Sequence, residues 1–212
     1  MSFQEDIRKY SEQPIGKQIL LDLLKEYKRP HDKIDELVKQ HILIQLKRGL
    51  YIPGPKLNIA SPEPLLISNH LHGPSYVSLE TALSHWGLIP ERVYEISCIT
   101  TNISKTYSTE IGRFRYIHAG LPYYSFGIKQ VSLTKLQTVL MASQEKALCD
   151  KIINTPGILL RSVKQTLELL IEDFRIDENS LRKLEIKTIN SWIQSAPKQN
   201  SLITLVKALQ SL

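Results

Sequence analysis

Apolar positions repeat at helical spacing near the start of the chain and predict two consecutive helices. The first helix is predicted over residues 14–27, because its apolar residues recur three and four positions apart. Those residues are Ile15, Ile19, Leu20, Leu23 and Leu24. Pro30 suits the first turn of a helix but not its interior, so a second helix is predicted from there to about Gln40.

Two short, β-prone runs follow the second helix and flank the tripeptide Lys47-Arg48-Gly49. A three-residue loop that ends in glycine is a common hairpin connection, because its last residue adopts a positive φ. The pattern therefore predicts a hairpin with Lys47 and Arg48 at its tip. Residues 56–64 are rich in proline and small residues and are predicted to form a linker.

Residues 73–91 contain a short helix with clear start and stop signals. Ser75 or Ser78 is predicted to cap its N-terminus, because a hydroxyl there accepts a free backbone N–H. Gly87 is predicted to end the helix in the left-handed conformation. The residues that share its apolar face are Leu79, Leu83 and Trp86. We interpret the segment as architectural, a helix packed on a small sheet and anchored by Trp86.

Alternating apolar and polar residues predict strands in the middle of the chain, and the last third is predicted to be helical. The predicted strand segments are RVYEISCIT, SKTYST, RFRYIH, YYSFGIK and LQTVLMA. Ser143 is predicted to cap the next helix, and Asp177 and Ser201 are placed at or near later helix starts. The prediction is an α+β fold with a first domain over residues 1–57 and an α+β domain over 58–212 that ends in a helical tail.

The charge is unevenly distributed along the 212-residue chain, which carries a net charge of +6 and has a pI of about 9.2. Residues 25–56 hold eight basic against four acidic side chains, so this segment alone contributes +4. Concentrated positive charge favours an anionic partner such as nucleic acid. Without a bilayer-spanning run or a signal-peptide pattern, we expect a cytoplasmic protein, with Cys98 and Cys149 as packed free thiols.

The sequence holds no residue group with the spacing of a catalytic or metal site, so we expect no cofactor, no metal ion and no enzymatic activity. His70 and His72 have no cysteine or carboxylate nearby at ligand spacing. A phosphate-binding loop and a nucleophile elbow are missing from the sequence. Glu145 and Asp150 share a helix with two lysines and are predicted to form solvated pairs on its surface.

A helix pair followed by a hairpin is the skeleton of a winged helix-turn-helix domain. In such a domain the second helix would enter the major groove, and the hairpin tip would reach phosphates or the minor groove. Lys47 and Arg48 fit that role, since phosphate neutralisation supplies most non-specific affinity and arginine adds a planar fork. The spacing alone fits an ordinary solvated turn equally well.

Several segments resemble AbiEi-like antitoxins. The run LLDLLKEYKRPHDKIDELVKQHILIQLKRGLYIPG resembles their N-terminal winged-helix domain, and GPSYVSLETALSHWGLIPERVYEIS resembles the start of their second domain. FRYIH, YYSFGI and ASQEKALCDKI then follow in the order of that family. The resemblance covers roughly residues 15–155. It implies a DNA-binding antitoxin of a type IV toxin–antitoxin system, linked to abortive phage infection, that represses its own operon and counteracts a nucleotidyltransferase-like toxin.

The resemblance also implies roles for particular residues. Lys47, Arg48 and Gly49 take the tip of the wing, and Tyr51 packs behind it. The candidates for the groove-facing helix and its entry are Lys28, Arg29, Lys33 and Lys39. The expected partners are double-stranded operator DNA, bound by a homodimer, and the toxin, with direct contact to the toxin left open.

Two other hypotheses compete with this one. In the first, the chain is a protein-interaction module that does not bind DNA and whose larger domain sequesters a toxin directly. In the second it is an enzyme acting on nucleotides, which the missing phosphate loop and acidic cluster argue against. The position of the hairpin tip distinguishes the DNA-binding repressor from the protein-interaction module. A free tip favours DNA binding, and a tip packed on the larger domain or beside carboxylates favours docking.

Overall fold

The computed structural model describes residues 3–91 and 93–212 and shows a mixed α+β fold, which confirms the predicted fold class. The helices are α1 (Phe3–Ile7), α2 (Lys17–Leu23), α3 (Pro30–Lys39), α4 (Pro64–Leu71), α5 (Leu79–His85), α6 (Gln144–Asn154), α7 (Val163–Glu168), α8 (Glu178–Arg182), α9 (Ile186–Trp192) and α10 (Gln199–Gln210). The strands are β1 (Ile15–Gly16), β2 (Leu43–Lys47), β3 (Leu50–Pro53), β4 (Ser75–Val77), β5 (Glu95–Thr100), β6 (Lys105–Thr109), β7 (Gly112–His118), β8 (Ile128–Ser132) and β9 (Thr138–Ala142). In the described part of the chain, no helix is long and apolar enough to cross a membrane.

The N-terminal unit combines α2 and α3 with an antiparallel sheet in the order β1-β3-β2. The prediction of a helix from residue 14 is wrong at its start, because Ile15 pairs with Tyr51 across β1 and β3. The backbone of Gly16 is extended (φ −72°, ψ 151°), so the helix begins only at Lys17. The second helix begins at Pro30, as predicted.

The larger unit contains a sheet in the order β6-β7-β5-β4-β9-β8. β4 pairs antiparallel with β5 and parallel with β9, and β5 and β7 are parallel. Neighbouring residues of β7 point to opposite faces. Tyr116 donates a hydrogen bond to the Ser68 carbonyl oxygen of α4 (2.6 Å), whereas Arg115 borders a cavity lined by residues of α5 and α6. The sheet therefore lies between α4 on one face and α5 with α6 on the other.

Two segments differ from the predicted secondary structure. Residues 56–64 are predicted to be a linker, and residues 58–63 do form a loop. The ends differ, because a 3-10 turn occupies Pro55–Leu57 and α4 begins at Pro64, where proline suits a first helical position. The segment YYSFGIK is predicted as one strand, but its first part forms a 3-10 turn at Tyr123–Ser125 and β8 begins at Ile128. The second difference involves a short run whose period does not distinguish helix from strand.

The C-terminal region is helical, as predicted, and is divided into the helices α7, α8, α9 and α10. α7 continues into a π-helical turn at Leu169–Asp173, and Asp177 caps α8 by accepting the Ser180 amide. Ser201 lies in the first turn of α10, which begins at Gln199, as predicted. Lys198 precedes α10 and donates to three carbonyl oxygens around the end of α6, each at 3.0 Å.

The hairpin β2–β3 contributes to two separate groups of buried apolar side chains. Leu43 and Tyr51 belong to the small N-terminal core with residues of α2 and α3. Ile44, Leu46 and Ile52 point the other way and belong to the core of the larger sheet. One face of the hairpin therefore closes the N-terminal unit, and the other face attaches that unit to the rest of the molecule. The predicted boundary between residues 57 and 58 stays a prediction.

Candidate functional site

The predicted DNA-contacting residues before and within α3 lie mostly at the surface. Lys28 and Arg29 are exposed in the turn that connects α2 to α3, and Lys39 is exposed at the end of α3. Lys33 is only half-exposed and pairs with Glu36 at 2.9 Å. The turn before α3 therefore presents cations to solvent, while Lys33 is partly neutralised by its own helix.

The exposed surface of α3 is not uniformly basic. Asp32, Asp35 and Glu36 are all exposed on this helix, against the two lysines of the same helix. Asp32 also lies 3.7 Å from Arg29. The helix itself therefore has a net charge of −1, and the positive charge of the surrounding segment lies in the flanking turns.

The hairpin tip has the predicted backbone conformation. Gly49 has φ +84°, which glycine adopts without steric cost. Its carbonyl oxygen accepts a hydrogen bond from the Lys17 amide at 2.9 Å, which ties the tip to the start of α2. Tyr51 lies behind the tip and is buried in the N-terminal core, as the resemblance implies. Arg48 is exposed at the tip.

Lys47 does not project into solvent with Arg48. A bulge between Gln45 and Lys47 shifts the strand register, so that Lys47 lies opposite Leu50. Bulges change the direction of a side chain in this way. The bulge places Lys47 on the face of the hairpin that meets the larger unit, where its Nζ donates to the Leu71 carbonyl oxygen at 2.7 Å.

The two tip residues therefore occupy different environments. Lys47 is half-buried and holds the C-terminal end of α4, whereas Arg48 remains at the surface. In the described residues, no carboxylate lies within 4 Å of the Arg48 guanidinium. One of the two predicted tip cations is thus engaged in an internal contact, and the other is available to an external anion.

The helix segment over residues 73–91 is built largely as predicted. Gly87 has φ +70°, and the amides of Gly87 and Leu88 bond the carbonyls of Ser84 and Leu83, which is a Schellman motif. Trp86 is half-buried, and its Nε1 donates to the Ala142 carbonyl oxygen at 2.8 Å.

The predicted serine cap of this helix is wrong. Ser75 lies in β4 opposite Thr100, because the extended chain continues to residue 77 before α5 begins. Ser78 stands at the N-cap position, but its side chain makes no capping hydrogen bond. Its hydroxyl is instead directed to the carboxylate of Asp150.

Asp150 is the centre of a buried polar network that joins two segments far apart in sequence. Its Oδ2 accepts hydrogen bonds from the hydroxyls of Tyr76 (3.0 Å) and Ser78 (2.7 Å). Its Oδ1 accepts the Tyr123 hydroxyl (2.9 Å) and lies 3.3 Å from the Lys146 ammonium. The side chains of Lys146 and Asp150 are both fully shielded from solvent. Two hydroxyl groups of the segment SYVSLETAL, those of Tyr76 and Ser78, thus donate hydrogen bonds to the carboxylate of Asp150 in the segment EKALCD.

The surroundings of Lys146 stabilise its cation in the interior. Its Nζ donates to the Tyr123 carbonyl oxygen at 2.9 Å and lies 3.1 Å from the centre of the Tyr123 ring. Burial lowers the pKa of Lys146, and the negative charge of Asp150 opposes that change. Burial, with Asp150 close by, also holds the pKa of Tyr76 and Tyr123 well above the usual value, so both hydroxyls remain donors.

The prediction of solvated pairs on this helix is therefore wrong. Lys146 and Asp150 form a shielded pair one turn apart, and Glu145 is also buried. The carboxylate of Glu145 accepts the hydroxyl of Ser143 (2.8 Å) and the backbone amide of Glu185 (3.1 Å). Helical spacing alone does not reveal this, since the helical tail and the sheet cover both sides of α6. Ser143 also caps α6 by accepting the Lys146 amide, as predicted.

The residues considered for other chemistry do not assemble into a site. His70 and His72 do not share a ligand geometry, because His70 is exposed in α4 and His72 contacts the rings of Tyr107 and Tyr116. Within residues 3–91 and 93–212, no group of three or more histidine, cysteine or acidic residues is placed to hold a metal ion. Cys98 and Cys149 are both buried free thiols.

Sequence comparisons with protein-family models and with curated proteins give no match to this chain.

Proposed function

We propose that the chain is a DNA-binding transcriptional repressor and antitoxin that autoregulates a toxin–antitoxin operon and counteracts a nucleotidyltransferase-like toxin. Residues 1–57 would act as a winged helix-turn-helix domain, with α3 as the recognition helix and β2–β3 as the wing. Residues 58–212 would form the antitoxin domain. The sequence resemblance to AbiEi-like antitoxins supplies the biological role, and the element order of the N-terminal unit supplies the means of binding DNA.

The observation that carries the proposal is the surface formed by α3 and the hairpin. The order β1, α2, α3, β2, β3 leaves α3 with an exposed face and puts Arg48 at an exposed turn after it. Arginine at that position can bind phosphate oxygens through two parallel N–H groups. Lys28 and Arg29 belong to the same unit and lie at the start of α3.

The distribution of charge indicates how such a unit would contact a duplex. The acidic residues on α3 disfavour close approach of phosphates to the middle of that helix. The flanking cations would instead contact the phosphates of the two DNA strands on either side of the groove. These cations are Lys28, Arg29, Lys39 and Arg48. Lys33 would contribute little, because Glu36 already pairs with it, and Lys47 would orient the wing rather than contact DNA.

A protein-docking function is the second candidate, and the contact between Lys47 and Leu71 favours it. A wing that is attached to the larger unit through one side chain and an apolar face has less freedom to adapt to a groove. The acidic residues on α3 also suit a basic protein partner. In this case the chain would sequester a toxin directly and would not recognise operator DNA.

Footprinting on the DNA upstream of the gene separates the two functions. The wild-type protein is expected to protect a short inverted repeat, consistent with a homodimer. Arg48→Ala is expected to weaken protection at all sequences by a similar factor, because phosphate contacts carry no sequence information. Lys187→Ala is a suitable control, since Lys187 is an exposed lysine in α9 of the tail. Absence of any protected region, together with stable association with the adjacent gene product, would favour docking.

A further inference from the structure

A cavity of about 400 Å³ opens between α5, β5, β7 and the π-helical turn, away from the N-terminal unit. Pockets that bind small molecules usually have volumes of about 300–1,000 Å³. The lining includes the apolar side chains of Leu83, Ile89 and Phe174. It also includes charged side chains, among them Arg115 and Lys151. The cavity therefore combines apolar and charged groups, as ligand sites do.

Most of the charges around this cavity are already paired. Lys151 of α6 binds the carboxylate of Glu80 of α5. Arg113 lies 2.6 Å from Glu95 across β7 and β5. Burial alone would raise the pKa of Glu80, but the hydrogen bond from Lys151 and the positive charges of Lys151 and Arg115 lower it. The carboxylates Glu80 and Glu95 thus have their own cations.

Arg115 differs from the other cations of this site. No carboxylate of the described residues lies within 4 Å of its guanidinium. It borders this cavity and also two adjoining depressions, one beside α6 and one beside β6. A guanidinium offers five N–H donors in a fixed plane and suits a carboxylate or a phosphate. Arg115 is therefore available to bind an anionic group inside the cavity.

Two acceptors line the same cavity. The Oε1 atom of Glu91 binds Arg175, but its Oε2 atom is buried and has no hydrogen-bond donor among the described residues. Asp173 is exposed and makes no ion pair in that part of the chain. Because Glu91 Oε2 is closed off from solvent, Asp173 is the acceptor that a ligand in the cavity can reach.

The backbone around the cavity is unusual. The turn Leu169–Asp173 is π-helical and delivers Phe174 to the cavity wall, with its ring centre 5.4 Å from the Lys151 ammonium. The next residue, Arg175, has φ +52°, which is uncommon for a residue other than glycine. Single π-helical turns and left-handed residues concentrate at ligand sites. This geometry sets an aromatic face beside the charged groups.

We propose that this cavity binds a small molecule with a flat ring, an anionic group and an N–H donor. The anionic group would bind Arg115, the N–H donor would bind Asp173, and the ring would pack on Phe174. The anionic group is a phosphate or a carboxylate. The site lies outside the DNA-binding unit, so its existence does not depend on the proposed repressor function.

The test uses two pairs of probes and calorimetric titration of the full-length chain. Adenosine monophosphate and adenosine differ by the phosphate, and phenylalanine and phenethylamine differ by the carboxylate. In at least one pair the anionic member is expected to bind roughly 10- to 100-fold more tightly, which is the effect of a charged hydrogen bond. The pair that shows the preference identifies the anion.

Arg115→Gln is expected to remove that preference. Arg161→Gln is the control and is expected to keep it, because Arg161 is exposed and does not line the cavity. Phe174→Leu should weaken both members of a pair by a similar factor, because it changes only the ring contact. Unchanged melting temperatures would show that the variants are folded. The proposal is overturned if no probe binds at concentrations up to about 10 mM, if the preference survives Arg115→Gln, or if Arg161→Gln removes it equally.

Discussion

The ammonium of Lys47 donates a hydrogen bond to the carbonyl oxygen of Leu71 over 2.7 Å, and this contact joins the hairpin of the N-terminal unit to the last turn of α4. The bulge in β2 makes the contact possible by turning Lys47 toward the larger unit. The neighbouring Arg48 stays exposed. Of these two adjacent basic residues, Lys47 thus makes a contact inside the protein, and Arg48 is exposed to solvent.

We expect Lys47→Met to lower the free energy of unfolding by about 1 kcal/mol, since Leu71 loses a charged donor in a half-buried position. Arg48→Met should change it by less than about 0.5 kcal/mol, because its side chain is exposed. Urea denaturation measures both values. DNA affinity should show the reverse order, with the larger loss in Arg48→Met. If both variants lost DNA affinity equally and neither lost stability, the distinct roles of Lys47 and Arg48 would be contradicted.

The buried pair of Lys146 and Asp150 should show strong energetic coupling. Lys146→Met or Asp150→Asn alone is expected to cost about 3–5 kcal/mol, because either change leaves a buried group without its partner. The double variant should cost clearly less than the sum of the two, as a double-mutant cycle in urea would measure.

A matched control for that pair is present in the chain. Glu178 and Arg182 have the same one-turn spacing in α8, but each side chain is 49% exposed. Glu178→Gln is expected to change the unfolding free energy by less than about 0.5 kcal/mol. Additive effects at Lys146 and Asp150, similar in size to this control, would show that the buried network does not stabilise the fold.

Stability should fall as the solution becomes alkaline. Burial raises the pKa of Cys98 and Cys149 from 9.0 to about 12, and the charge of Asp150 adds to the effect on Cys149. Between these values the unfolded chain loses protons that the folded chain keeps. The unfolding free energy should therefore fall by about 1.4 kcal/mol per pH unit for each thiol. Tyr76 and Tyr123, with raised pKa values, add to this loss above pH 10.

Two lysines act in the opposite direction. Burial lowers the pKa of Lys146 and Lys198, so as the pH rises these lysines lose their protons in the folded chain before they do so in the unfolded chain. Their contribution to the unfolding free energy therefore rises with pH up to about pH 10.5. Urea titrations from about pH 8 to about pH 11 would measure the net slope. The double variant Cys98→Ala, Cys149→Ala should have a shallower decline. A double variant whose unfolding free energy depends on pH as steeply as that of the wild type would contradict the raised pKa values of the two thiols.

Gly87 should be sensitive to the addition of a single methyl group. Its φ of +70° is unfavourable for alanine, although a Cβ would meet no neighbouring atom. Gly87→Ala is therefore expected to cost about 1 kcal/mol through backbone conformation alone. Gly120 also has open space at the Cβ position but no positive φ in the left-handed range, so Gly120→Ala should be close to neutral. Equal thermal shifts in both variants would rule out the conformational explanation.

Local signals in the sequence predict local features of this fold well. Pro30, Gly49 and Gly87 occupy the positions that their backbone preferences predict, and Ser143 caps α6. These features depend on only a few neighbouring residues.

Long-range features could not be predicted in the same way. The alternation of apolar and polar residues in β2 does not reveal the bulge that redirects Lys47. The sequence pattern around Asp150 is typical of a surface helix, yet Asp150 is fully buried. Its hydroxyl partners lie 27 to 74 residues away, so only the folded chain brings them together. The cavity beside Arg115 likewise depends on the packing of distant elements.

The salt dependence of binding to the upstream DNA tests the central claim most directly, because each phosphate contact contributes about 0.9 to the slope of log K against log salt concentration. We expect Arg48→Ala to reduce the magnitude of this slope by about 1, and Lys28→Ala with Arg29→Ala to reduce it by about 2. Lys187→Ala should leave it unchanged. A wild-type protein whose DNA affinity shows no salt dependence, or whose slope is the same in all four proteins, would contradict a DNA-binding role for the N-terminal unit.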